Sequence, residues 1–304
     1  MSRYFSLNDY CRNEFGYKLY KLSLDGGMTC PNRDGTIGTG GCIFCSEDGS
    51  GDFAQKSCGN ISEQIEKAKQ RVAHKNKNGR YIAYFQSYTN TYAPLPYLEN
   101  IFTQAISHPD IEVLSIATRP DCLPDEVIDL LCRLNKIKPL WVELGFQTSN
   151  EKSAEYIRRG YRNDVFASAV DRLNKAGIKV VAHIILGLPD ETADDMENSV
   201  RYACGCGIWG IKLQLLHILT NTDLAEDFEN GRFSALAQDE YLELVCRMLT
   251  VIPESVVIHR LTGDGDKKKL IAPLWSGNKK AVINALTAML NEKNISQGQH
   301  IESH

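Results

Sequence analysis

Short apolar runs alternate with longer amphipathic stretches along this 304-residue chain, and that alternation constrains the fold more than any other feature. The runs at 19–24, 81–86, 113–117, 140–146, 179–186 and 211–218 read as strands, several of them apolar nearly throughout. Parallel strands covered on both faces look like this. A weaker run lies at 256–261. Helical patterns fill the gaps at 61–75, 98–107, 125–135, 163–175 and 192–203. Leu123 and Pro124 announce the third of these, and Gly177 suits the left-handed cap that ends the fourth. Such repetition makes right-handed βαβ units and a parallel sheet. Six repeats predict an α/β fold, a partial (β/α)6 TIM-like barrel, over residues 1–235. Residues 236–304 are expected to form a C-terminal helical extension packed on the barrel, with the polar tail NISQGQHIESH frayed.

In a parallel barrel, functional groups gather at the C-terminal ends of the strands. The unusual residues of this chain fall there. A cysteine-rich loop follows the first run, and Ser87, Tyr88, Thr89, Asn90 and Thr91 follow the second. Thr118, Arg119, Pro120 and Asp121 follow the third. Glu143 and Gln147 flank the end of the fourth, Gly187, Leu188 and Pro189 follow the fifth, and His217 ends the sixth.

No stretch approaches the ~18 apolar residues that cross a bilayer, and the first thirty residues carry no apolar leader. We therefore expect a soluble cytoplasmic protein without a membrane partner. Thiols stay reduced in that compartment, so ten cysteines do not imply five disulfides. Clustered cysteines there bind metal or do redox chemistry. The net charge of −4 gives no global attraction to nucleic acid. Local basic stretches at 74–80, at Arg158 and Arg159, at Lys267, Lys268 and Lys269, and at Lys279 and Lys280 read as solvated surface or as phosphate contacts.

Residues 30–45 read CPNRDGTIGTGGCIFC. A structural zinc site wants four closed ligands. Cys42 and Cys45 form one CxxC pair, Cys30 offers a third thiolate, and Cys58 is the nearest fourth; Cys204 and Cys206 lie far along the chain and read better as buried thiols. An iron–sulfur cluster held by three thiolates is the alternative. It leaves one iron open to a ligand. Glycines at 35, 38, 40 and 41 would let the backbone wrap closely and aim N–H groups at sulfide.

With Phe44 before its last cysteine, this Cx11CxxC loop resembles the cluster loop of radical S-adenosylmethionine (SAM) enzymes. Its long gap resembles the YhcC/YtqA group, related to the radical domain of the Elongator catalytic subunit. CPNRDGT, YFQSYTNTY, ATRPDCLPD, VELGFQT, HIILGLPDET, KLQLLHIL and LIAPLW continue the likeness from about residue 15 to about 290. The resemblance implies a barrel of the radical SAM type, with Cys30, Cys42 and Cys45 holding a [4Fe–4S] cluster whose open iron takes the amino and carboxylate groups of SAM. Reduction then releases a 5′-deoxyadenosyl radical, with flavodoxin or ferredoxin as electron donor.

By the same resemblance Phe44 belongs to the cofactor site, Thr89, Asn90 and Thr91 stand where the amino group is received, and Gln147 meets the ribose. Arg159, or its neighbour Arg158, pairs with the carboxylate. Gly187 and Leu188 lie against adenine, and His183 stands where relatives carry an acid. Glu143, Arg119 and Tyr88 are candidates for catalysis. Glu143 needs a partner on an apolar strand, and ribose, Arg119 or substrate would each serve. The implied substrate is transfer RNA. A carboxymethylaminomethyl group on the wobble uridine would be remodelled to aminomethyl, ready for a downstream methyltransferase. Tyr88, Tyr92 and Phe146 are available to stack on a presented base. A radical enzyme with a small-molecule substrate, and a non-catalytic Fe–S or zinc protein, remain the other readings of these residues.

Overall fold

Seven strands form one parallel sheet in a computed structural model that describes residues 2–47, 49, 54–55, 59–74, 79–263 and 265–301. The strands are β1 (Tyr20–Leu24), β2 (Tyr81–Phe85), β3 (Ile111–Thr118), β4 (Leu140–Gln147), β5 (Lys179–Leu186), β6 (Gly210–Leu215) and β8 (Val257–Arg260), paired in that order. A two-stranded antiparallel sheet, β7 (Ile218–Leu219) with β9 (Leu270–Ala272), lies apart from it. The helices are α1 (Leu7–Phe15), α2 (Ile61–Val72), α3 (Leu95–Ser107), α4 (Asp125–Asn135), α5 (Glu151–Tyr156), α6 (Asn163–Lys175), α7 (Ala193–Gly205), α8 (Asp223–Glu229), α9 (Gln238–Val251) and α10 (Lys279–Glu292). The sheet curls into a half-barrel, with the crossover helices covering its outer face. Among the described residues, no helix is long and apolar enough to cross a membrane.

Local chemistry explains the segments. Ser6 and Asp9 close a capping box on α1, and Gly16 ends that helix in the left-handed region at φ +82°. Thr192 and Asp195 close another on α7. Every residue of β2 is buried, as a strand covered on both faces requires. The strand expected at 211–218 stops at Leu215, and its last residues leave the sheet to pair with β9.

The sixfold repeat is extended by β8, which pairs in parallel with β6. The residue order beyond it continues through Ser6, bridged in parallel to Ile258. Helix α1 then closes the N-terminal end of the half-barrel. Tyr10 packs edge-on to Trp141 and Trp209 at 6.0 and 4.8 Å between ring centroids, with Ile82, Val113 and Val257 around them. The opposite end, at the C-terminal ends of the strands, is left for the site. The tail expected to fray is bonded instead: Gln297 Nε2 donates to the carbonyls of Pro253 and Val256 at 2.7 and 2.8 Å, and its Oε1 accepts from the Phe5 N–H at 2.8 Å. Residues 302–304 lie outside the described residues.

Candidate functional site

Alternation along each strand sends every second side chain into the half-barrel. Above the Trp141 plug, that rule places a layer of polar residues in the interior that includes Lys21, Tyr84, Ser115, Glu143, His183 and Lys212. Glu143 is fully buried and lies at the centre of this layer. Its Oε1 accepts from Lys21 Nζ at 2.6 Å and Ser115 Oγ at 2.7 Å; its Oε2 meets His183 Nε2 at 2.7 Å and Lys212 Nζ. Lys212 Nζ also donates to the Tyr84 hydroxyl at 3.1 Å. Arg119, ribose and substrate had been the expected partners of Glu143; two lysines, a serine and a histidine take its acceptor positions instead. Burial alone would push the Glu143 carboxyl up, but Lys21, Lys212 and His183 outweigh it and hold it well below the usual carboxylate range. Burial pushes His183 down to about 4, with Lys212 adding to the effect, so the ring is neutral. Burial likewise pushes the Lys212 amine well down, against the pull of Glu143.

Above this layer, Cys30, Cys42 and Cys45 line a cavity of about 180 Å3 together with Glu143, His183 and Lys212. The loop that carries the thiols folds on its own backbone. Gly35, Gly38 and Gly41 donate their N–H groups to the carbonyls of Gly38, Pro31 and Asn32 at 3.2, 3.2 and 2.7 Å. Those three N–H groups therefore fold the loop and are not aimed at sulfide. Gly41 sits at φ +76°, and a Cβ there would stand 2.9 Å from Arg33 Nε. Asn32, missed in the sequence, is 4% exposed and donates from Nδ2 to the Arg158 carbonyl at 2.7 Å, with Cys42 Sγ 3.5 Å away. The Cys42 thiol is pulled down to about 7, by Cys45 first, against burial, and then by Arg119, Asn32 and Arg33. A thiol in such surroundings is ready to ligate as thiolate. Three thiols beside the Arg33 and Arg119 guanidinium groups suit an anionic cluster. Cys58 lies outside the described residues, and Cys204 and Cys206 are partly buried against the main core, where burial pushes Cys204 up to about 12.

Phe44, Thr89, Gln147, Arg159, Tyr88, Arg119 and His183 line this cavity, as the sequence grouping expects. Gln147 and Tyr88 hold left-handed backbone at φ +64° and +58°, the sort of strain that concentrates at functional sites. Arg159 is 1% exposed and spends all five N–H donors on the protein: the carbonyls of Tyr161, Phe146 and Thr148, then Glu151 Oε2 and Asn163 Oδ1. Arg158 pairs at the surface with Asp223. Arg119 forks onto Asp121 at 2.9 and 2.7 Å. Asn90 is fully buried, with Nδ2 on the Ala117 carbonyl at 2.9 Å and Oδ1 sealed without a partner. Thr91 bonds Thr118 at 2.6 Å and lies on a separate outer cavity with Tyr92. Gly187 and Leu188 do not line the cysteine cavity; Leu188 packs with Ile43, Ile157 and Ile185. Phe146 is unavailable for stacking on a base, because it is fully buried between Phe166 and Tyr202, stacked at 4.3 and 5.4 Å.

A second cavity, of about 670 Å3, opens beside the first. Arg260, Lys267, Lys268, Lys279 and His217 line it. Phe44, Gln86, Ile185, Gln214 and Arg260 line both cavities and form the neck between them. Residues 75–78 of the basic loop at 74–80 lie outside the described residues.

Comparison with known proteins agrees with this layout. The model of the radical SAM superfamily matches residues 33–203, and that of the Radical_SAM C-terminal domain matches residues 208–292. YtqA of Bacillus subtilis (strain 168) is 44% identical over 300 residues, covering 99% of this chain and 93% of that protein. YhcC of Escherichia coli (strain K12) is 37% identical, covering 92% of this chain and 90% of that protein. Among solved structures, the archaeal Methanocaldococcus infernus Elp3 superposes with a TM-score of 0.67 at 15% identity, over 92% of this chain and 64% of that one.

Proposed function

This chain belongs to the radical SAM superfamily, whose enzymes use a [4Fe–4S] cluster and SAM, and we propose that it modifies the wobble uridine of transfer RNA. Bound together, those two cofactors supply a 5′-deoxyadenosyl radical that abstracts a hydrogen atom. In this reading Cys30, Cys42 and Cys45 hold the cluster, and Phe44, Thr89 and Gln147 face SAM. Arg159 acts as a brace. Its donors lock the end of β4 and hold the strained Gln147 at the cavity wall. Arg119 and Arg33 favour the thiolate form of Cys42.

The observation that carries the substrate reading is the second cavity. A uridine turned out of an anticodon loop needs a pocket that leads to the reacting atom and cationic groups outside it for the phosphates. The larger cavity supplies Lys267, Lys268 and Lys279 at its exposed side and narrows through the neck toward the cysteines. Similarity to the Elongator complex protein 3 of Homo sapiens, 26% identical over 58% of this chain and 31% of that protein, supports the same class of substrate. The reaction is remodelling of carboxymethylaminomethyl to aminomethyl, upstream of a methyltransferase, with a flavodoxin or ferredoxin as reductant.

The test is 5′-deoxyadenosine formation by anaerobically reconstituted, reduced protein, with and without tRNA that carries carboxymethylaminomethyluridine. Stimulation by that tRNA, with aminomethyluridine among the digested nucleosides, is expected. Formation that is indifferent to tRNA would sink this reading and turn the search to small molecules.

A further inference from the structure

The layer beneath the cysteines gathers several cationic groups around one lining carboxylate. Glu143 is the one Asp or Glu lining the cysteine cavity among the described residues, whereas Arg33, Arg119, Arg159, Lys212 and Arg260 all line it. Arg33 bonds the carbonyls of Cys45 and Ser46, Arg119 has Asp121, and Arg159 has Glu151. At the inner end, Lys21 and Lys212 share Glu143 between them.

Two atoms there have unused hydrogen-bonding capacity. Burial works against the charged form of Lys212, but the ion pair with Glu143 favours it, and a lysine ammonium has three donors. Lys212 uses one on Glu143 and one on Tyr84, and the third meets no acceptor among the described residues. His183 is neutral, and its Nε2 faces a carboxylate, so the proton sits on Nε2 and Nδ1 keeps a free lone pair. The side chain of His183 is 17% exposed and lines the cavity. A register shift in β8 adds the third element. It skips His259 and pairs Lys212 with Arg260, which brings the guanidinium to the same interior face. Arg260 also lines the neck toward the basic cavity.

We propose that this inner end is an aminoacetate subsite: Lys212 and Arg260 hold a substrate carboxylate, and His183 Nδ1 accepts a hydrogen bond from the adjoining amine. The subsite rests on the tRNA reading for its occupant, the –NH–CH2–COO− arm of carboxymethylaminomethyluridine. A second carboxylate beside Lys212 gives two lysines two carboxylates, and it offsets the burial that presses on the amine. The aminomethyl product lacks the carboxylate, so its hold on the subsite is weaker, which favours release. SAM carries a carboxylate beside an amine as well, so the experiment must separate the two sources.

Holoenzyme affinity is measured for one tRNA prepared with carboxymethylaminomethyluridine and with aminomethyluridine. One charge-assisted contact predicts a preference of about tenfold or more for the first form. Lys212→Met and Lys212→Gln should each reduce that ratio to within about twofold. Equilibrium dialysis of SAM against the same variants should give the wild-type affinity. N-methylglycine, which carries the same amine and carboxylate, should raise the Tm of the wild-type holoenzyme more than dimethylamine does, and should not do so in Lys212→Met. Equal wild-type affinity for the two tRNA forms overturns the subsite while leaving the tRNA reading intact. Loss of SAM affinity in the Lys212 variants overturns it in favour of a cofactor contact. If neither tRNA binds, the tRNA reading fails, and the N-methylglycine shift alone then decides the subsite. The wild-type comparisons need no variant, so a Lys212 variant that fails to fold leaves the proposal open to refutation.

Discussion

His259 is where a change of pH should act most directly on stability. Both of its ring nitrogens are sealed from water with no hydrogen-bond partner. The ring packs edge-on to Trp141 and Trp209 at 5.6 and 5.1 Å between centroids. Burial, reinforced by Lys21, holds it well below the ordinary histidine value, so it folds as the neutral ring. An unfolded histidine titrates near 6.5. Below that pH the unfolded chain binds a proton that the folded ring refuses, so stability is present above pH 6.5 and is lost as pH falls. For a ring that stays neutral in the fold to pH 5, the linkage term is about 0.2 kcal/mol at pH 7 and about 2 kcal/mol at pH 5. His183, held near 4, adds a similar loss over the same range. The perturbation is His259→Phe. It removes the titrating ring and two sealed nitrogens, but it adds an atom beside Gly210, so the offset at pH 7 combines opposing effects. The pH dependence does not. Urea unfolding of the reconstituted protein at pH 7 and pH 5 should show the variant losing about 2 kcal/mol less than the wild type. Equal losses in the two proteins would refute the claim that His259 folds uncharged.

Phe146→Ala should cost about 3–5 kcal/mol in the same assay, as a buried ring with two stacked neighbours does. A cost under about 1 kcal/mol would mean that the ring is free to leave the core. Changing Cys30, Cys42 or Cys45 to Ala should each lower the iron bound on anaerobic reconstitution well below the roughly four atoms per chain that a full cluster needs. Stoichiometric zinc in the wild type that iron and sulfide cannot displace would argue for a zinc site in place of the cluster. Gly49→Ala places a Cβ 2.2 Å from the Tyr88 ring at φ +57°. It should destabilise by about 1–3 kcal/mol, and it should slow SAM cleavage because Tyr88 lines the cavity; an unchanged rate would place Tyr88 outside the working site.

By itself, the sequence determined the order of strands and helices, the parallel sheet, the cysteine triad and the loops that meet at the barrel mouth. Those features are local: an apolar period, a cap residue or a CxxC spacing is written in neighbouring positions. The interior layer was legible only in part, since Glu143 and His183 stood out as polar residues on apolar strands while Lys21, Tyr84, Ser115 and Lys212 did not. Which of them touch was settled by the tertiary structure, because Glu143 meets Lys21 across 122 positions and Lys212 across 69. The same distance effect hid the pairing that makes the weak 256–261 run the last strand of the wall, the α1 plug, and the employment of Phe146 and Arg159 in the core. A buried ring or guanidinium looks in sequence like one offered to a ligand; only the fold shows that its faces and donors are already taken.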